Sequence, residues 1–231
     1  MISLIHIEQE ILFLVIKRYR NYQIELNVGI LYNKNNIGGL DMIIDDLTNN
    51  IIANRWKARC KNLPIDVKEK LDTFEKSDYQ LQIIKRKRKY PSVGDIFQVN
   101  PRENIFFNGL VVNTHVNNLN GDDLLVILIF HNKTDIKDCV KKGIKEKDLF
   151  IPPQIVGKEY WTRGYFFNID RLEEMMDISN YGFYRIGYRK FVDEYGNDLN
   201  YEPELLGTFG VSTINGIALQ ITQELIIRRI I

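Results

Sequence analysis

Between residues 22 and 32, apolar and polar side chains alternate without a break. Tyr22, Ile24, Leu26, Val28, Ile30 and Tyr32 fall on one face, and Gln23, Glu25, Asn27 and Gly29 fall between them. A period of two is the spacing of a half-buried strand, so a strand is predicted there. The preceding stretch, 11–19, fits a helix through Ile11, Leu12, Val15, Ile16 and Tyr19 and equally a first hairpin strand; periodicity does not separate the two. After the turn-like NKNNIGG, the residues Leu40, Ile43, Ile44, Leu47, Ile51 and Trp56 recur at helical spacing. Asp41 stands near the start and Lys57, Arg59 and Lys61 at the end, where their charges suit a helix dipole. Pro64 opens a second helical pattern through Val67, Leu71 and Phe74.

The pattern changes after the basic run Lys85 to Lys89 and Tyr90-Pro91. A dense block of like charge is solvated, and a proline disfavours helix at the residue before it, so a boundary is placed here. Beyond it, VGDIFQV, IFFNGLVVNT and DLLVILIF are short β-branched and aromatic runs separated by Pro, Asn and Gly, as expected for consecutive antiparallel strands. Asn120-Gly121 is a hairpin signal between the second and third. A charged connection over 132–148 with a short helix follows, then IPP and further strand-like segments including FYRIGYRKFV, then the turn DEYGN. The apolar end, 216–231, predicts a terminal helix, although its isoleucines also suit a strand. The fold class is therefore α+β: an N-terminal mixed α/β module, residues 1–89, followed by a mainly antiparallel β domain, residues 90–231, with a C-terminal helix.

Composition narrows the partners. The chain has 231 residues, 45% of them hydrophobic, enough for one sizeable core or two smaller ones. The formal charge of +1 argues against a protein built to coat nucleic acid or an anionic membrane. Charge is nevertheless uneven: residues 1–90 carry 16 Lys and Arg against 11 Asp and Glu, and residues 91–231 carry 15 against 19. Cys60 and Cys139 have neither disulfide-framework nor metal-ligand spacing, which fits a reducing compartment. The apolar stretch 2–16 is interrupted by Glu8 and Glu10, with no basic leader or small-residue cleavage site, and no apolar run reaches the roughly 20 residues of a membrane-spanning helix. A soluble cytoplasmic protein is expected.

Candidate chemistry points to binding. His6, His115 and His131 stand in separate contexts with no Ser, Cys or carboxylate at a recognised catalytic spacing, so no hydrolase triad is predicted. Gly38-Gly39 precedes a helix, but the lysine of a phosphate-binding loop and the dinucleotide glycine pattern are both missing. No metal site, cofactor or catalytic residue is assigned. Lys85 to Lys89, flanked by Tyr79 and Tyr90, carries the electrostatic part of a nucleic-acid site without a sequence-reading module. Residues 159–204 hold ten carboxylates against five basic residues, which makes either a solvated face or a surface that steers a basic partner. Within it Asp193, Glu194 and Asp198 are candidate partner contacts, and as rim charges Asp193 and Glu194 are expected to act on association and not on folding. YWTRGYFF places five aromatics around Arg163 and Gly164. Trp, Tyr and Arg are the types enriched at binding hot spots, so Trp161 and Arg163 join the candidates, with core packing the competing fate. Read as a strand, the segment alternates Tyr160, Thr162, Gly164 and Phe166 with Trp161, Arg163, Tyr165 and Phe167.

The stretch YPSVGDIFQVNPRENIFFNGLVV resembles the opening of immunity protein 26 domains, where a GD-I/V-F strand is followed by a short turn and a second strand carrying a glycine; here these are Gly94, Asp95, Ile96, Phe97 and Gly109. WTRGYFF, YGFYRIGYRKFVDEYGN and LLGTFGVSTINGIALQI are similar to longer members, so the resemblance runs from Tyr90 to Ile231. It implies a cytoplasmic bacterial protein encoded beside a polymorphic toxin, which binds and blocks that toxin, and it supplies no catalytic residues. The alternative is a nucleic-acid-binding regulator using Lys85 to Lys89. An uncharacterised hydrolase ranks third.

Overall fold

The computed structural model describes residues 50–86, 89–173 and 178–231. The strand expected at 22–32, the stretch 11–19 and the opening of the helix expected from Leu40 lie outside the described residues. The first described element is α1 (Ile51–Lys61), capped by Asn50, whose side-chain oxygen accepts from the N–H groups of Ile52 (3.0 Å) and Ala53 (3.4 Å). Asn50 has an extended backbone, φ −76° and ψ 113°, so the periodicity over 40–56 is not one continuous helix. An asparagine side chain that satisfies the otherwise orphaned N–H groups fixes the start at this point. Pro64 precedes α2 (Ile65–Thr73), which buries Val67 and Leu71.

Nine strands follow among the described residues, and they form two sheets. β1 (Asp95–Arg102), β2 (Ile105–Asn118), β3 (Gly121–Phe130), β4 (Leu149–Val156) and β5 (Phe166–Arg171) make an antiparallel sheet in the order β4-β3-β2-β1-β5. β6 (Tyr181–Arg185), β7 (Lys190–Val192), β8 (Asp198–Leu199) and β9 (Leu205–Thr208) make a smaller sheet in the order β8-β7-β6-β9, with β6 and β9 parallel. Three further α-helices lie among the described residues: α3 (Ile136–Lys142), α4 (Glu159–Thr162) and α5 (Ile214–Ile227). Pro152 and Pro153 fall on β4, an edge strand of its sheet, where a missing N–H is tolerated.

The larger sheet is covered on both faces. Leu125, Ile127 and Ile129 of β3 pack in a core with Ile217, Ile221 and Leu225 of α5, Trp161 of α4 and the incoming Tyr79 and Leu81. The intervening Val126, Leu128 and Phe130 pack in a second core with Ile136 and Val140 of α3 and with Phe183, Val192 and Leu205 of the smaller sheet. This explains why DLLVILIF is an unbroken apolar run with no alternation. A third, smaller core joins Val67 and Leu71 of α2 to Ile226 of α5.

Residues 160–167 are not one strand. Tyr160 and Trp161 lie on α4, Gly164 turns the chain with φ +89°, and β5 begins only at Phe166. A Cβ at Gly164 would stand 2.9 Å from the Arg86 backbone nitrogen, so both the left-handed backbone and the close approach require glycine. The aromatic content of the segment suits a strand, but this turn overrides it.

Candidate partner interface

The GD-I-F strand and the glycine of the next strand form one packing unit. β1 pairs with β2 so that Phe97 lies opposite Gly109. A Cβ on Gly109 would come within 2.2 Å of Phe97 Cζ, so the ring occupies the space a side chain would fill. Phe97 is fully buried, stacked on Phe166 with ring centroids 4.5 Å apart and edge-on to Trp161 at 5.4 Å. Gly94 turns into β1 with φ +87°, its N–H donating to the Val111 carbonyl at 2.9 Å. Asp95 accepts from the Ser92 N–H (2.9 Å) and from Asn168 Nδ2 (2.6 Å), and Asn168 Oδ1 accepts from Trp161 Nε1 (2.6 Å). Trp161, 1% exposed, is therefore a core residue whose indole N–H is satisfied internally, and it presents nothing to a partner. Arg163 is exposed beside an open cleft shared with Glu159, Tyr165 and the start of α5.

The turn DEYGN forms as expected, and its acids are occupied. Asp193 Oδ1 accepts from the N–H groups of Tyr195 (2.9 Å) and Asn197 (2.8 Å), and its Oδ2 accepts from Asn197 Nδ2 (2.8 Å). Glu194 Oε1 accepts from Asn113 Nδ2 (2.5 Å) and the Tyr181 hydroxyl (2.7 Å), while Asn118 Nδ2 donates to its carbonyl at 2.8 Å. Burial, and then the Glu194 carboxylate, push the Tyr181 phenol far above its ordinary value, so Tyr181 remains a donor. Asp198 pairs with Lys190 across the turn. Asp193 and Glu194 thus build the turn and fasten it to β2. Each carboxylate holds donors of the turn, of β2 or of β6, a structural role beside the partner contact expected of it.

What this fastening leaves outward is a continuous aromatic strip. Tyr195, 47% exposed, accepts from Asn113 at 3.1 Å. The adjoining Gly196, at φ +93°, sits so close to Phe209 that a Cβ would meet the ring at 3.1 Å. Arg185 lies 5.8 Å from the centroid of Phe209 and 3.7 Å from that of Tyr188, itself 64% exposed. The Arg185 guanidinium has no carboxylate partner among the described residues. Leu119, 76% exposed at the β2–β3 turn, adjoins Asn118 and extends the strip.

Residues 92–191 match the model of the immunity protein 26 family. No curated protein and no solved structure matches the chain. The matched stretch thus starts just before β1 and ends within β7, taking in the Phe97–Gly109 unit, the Trp161 relay and the Arg185–Tyr188 stack. The turn 193–197, β9 and α5 follow it, so the LLGTFGVSTINGIALQI patch lies beyond the matched residues.

A second cluster, at the β2–β3 hairpin, was not found from the sequence. His115 Nδ1 lies 2.8 Å from Asp123 Oδ1, and the imidazole stacks on Tyr90 with centroids 4.7 Å apart. The Tyr90 hydroxyl donates to the Asp123 carbonyl at 3.1 Å. The hydrogen bond to His115 holds the Asp123 carboxyl below its ordinary value, and burial pushes Tyr90 up to about 12. His115 and Asp123 both have left-handed backbones, φ +55° and +56°, where the β2–β3 register shifts. They flank the predicted Asn120-Gly121 hairpin, and that is the signal that could have paired them. His131 packs edge-on to Phe150, and burial lowers its pKa; His6 lies outside the described residues. Among the described residues no group of three or more His, Cys, Asp or Glu side chains is placed to hold a metal ion, and no helix is long and apolar enough to cross a membrane.

Proposed function

We propose that this protein neutralises a cognate protein toxin by stoichiometric binding, with the strip from Leu119 through Tyr195 and Phe209 to Arg185 and Tyr188 as the contact surface. The immunity protein 26 match over residues 92–191 carries the reading. The strip supports it because exposed Tyr and Arg are the side chains that anchor interfaces, and an arginine already held between two rings loses little rotamer freedom on binding. Asp193 and Glu194 shape the surface, while Asp198 stands at its polar margin. In the same reading residues 1–89 are an addition to an immunity domain of residues 90–231, in the bacterial cytoplasm beside the toxin. The test is co-expression with the toxin-like reading frame encoded next to it. Wild-type protein restores growth, and R185A combined with Y188A abolishes protection while the protein stays folded. Full protection by that double variant excludes this surface, and no protection by wild type against any linked toxin excludes the function.

A further inference from the structure

We propose that the face built by Lys85, Arg86, Lys89, Tyr90, α4 and the His115–Asp123 pair binds single-stranded nucleic acid, independently of the aromatic strip. Two chain segments close a ring of contacts there. At one end the N–H groups of Ile84 and Lys85 donate to the Gly164 carbonyl, at 2.8 and 3.2 Å. At the other end Tyr90 donates to the carbonyl of Asp123, and Lys158, the residue before α4, stands 3.7 Å from the Asp123 carboxylate. Lys85 and Arg86 at one end, Lys89 and Tyr90 at the other, and residues 158–164 between the same two points therefore share one perimeter.

Lys85, Arg86, Lys89, Lys158 and Arg163 are all exposed on it. Facing them are the carboxylates of Asp122, Asp123 and Glu159, of which Asp123 is already held by His115 and Lys158. Cations thus outnumber acids on this face, although the whole chain carries only +1. Aromatic rings are interleaved with the charges. Lys85 Nζ lies 5.6 Å from the centroid of Phe167, and the 71% exposed His115 side chain lies flat on Tyr90 with its Nδ1 fixed by Asp123. A positive track with flat, held rings is the arrangement that takes a phosphate backbone together with unstacked bases. A duplex offers no base faces to stack, and an anionic bilayer offers none either.

The experiment is fluorescence anisotropy of a labelled oligothymidylate with the full chain across a fourfold range of salt. If Lys85, Arg86, Lys89 and Lys158 each neutralise one phosphate, a slope of about 0.7 per phosphate weakens binding about 50-fold over that range. K85Q combined with R86Q cuts the fall to about 7-fold, with an unchanged melting temperature as the control for folding. Absence of binding at low salt overturns the proposal. So does a salt dependence that the double substitution leaves unchanged, or equal or tighter binding to duplex DNA or to phosphatidylglycerol vesicles. R185A, on the aromatic strip, leaves oligonucleotide binding intact, so failure of this site and failure of the toxin-binding surface are read separately.

Discussion

Replacing Gly109 with alanine places one methyl group where the Phe97 ring already lies. The added carbon would stand 2.2 Å from Phe97 Cζ and 2.7 Å from both Cε atoms, about 1.5 Å inside ordinary carbon–carbon contact. The ring cannot withdraw freely, because Phe166 stacks on it at 4.5 Å and Trp161 meets it edge-on at 5.4 Å. The cost therefore falls at the upper end of core overpacking, about 3 kcal/mol, which for a domain of this size lowers the melting temperature by about 6–12 °C. A double-mutant cycle separates this collision from a backbone effect. F97L removes the ring atoms that the new methyl strikes, so G109A combined with F97L is less destabilised than the sum of the single changes by about 2 kcal/mol. Urea unfolding of the four proteins measures the coupling. Additive losses, or a G109A protein that melts like wild type, would show that the glycine is not there to accommodate Phe97.

Two further predictions concern charged groups that tie elements together. Glu224 of α5 is buried between Arg59 (2.5 Å) and Arg228 (3.1 Å), and burial raises its pKa even though both arginines oppose the rise. A carboxyl that holds its proton more tightly folded than unfolded makes stability fall as pH rises from the ordinary carboxylate range through the raised value, with a plateau above it. E224Q should remove that component of the pH profile of the urea midpoint, and an unchanged profile rules out the linkage. At the turn, D193A frees two backbone N–H groups, and E194A frees the Tyr181 hydroxyl while the Asn113 amide keeps its bond to Tyr195. Each change should cost about 1–2 kcal/mol in chemical denaturation; wild-type stability in both variants would return these acids to the status of hydrated rim charges.

Much of the architecture was legible because its signals are local. The run of β3 and the Asn120-Gly121 hairpin follow from side-chain type and turn chemistry, and the apolar residues of α5 recur on a helical stripe. The α4 turn was not legible, since Tyr160 and Trp161 suit a strand and only the left-handed Gly164, pressed against Arg86, diverts the chain. Trp161 illustrates the limit for sites: composition offers anchor or core, with core the commoner fate, and the relay through Asn168 to Asp95 shows it buried and satisfied. The aromatic strip depends on the parallel pairing of β6 with β9, which places Tyr184 opposite Thr208 and so brings Arg185 to Phe209. A contact between strands so far apart in the chain leaves no periodic trace. The His115–Asp123 pair stayed hidden for a related reason: two left-handed residues in a bulged hairpin break the alternation that would otherwise assign their faces.

Binding of a protein toxin through the strip centred on Arg185, as proposed, is read from dissociation kinetics. With the toxin encoded beside this protein immobilised, R185A should raise the dissociation rate about 30-fold, the equivalent of about 2 kcal/mol at an interface anchor. Its association rate should change far less, because this arginine acts by packing between Tyr188 and Phe209 and not by long-range steering. Wild-type dissociation in a folded R185A protein contradicts the account.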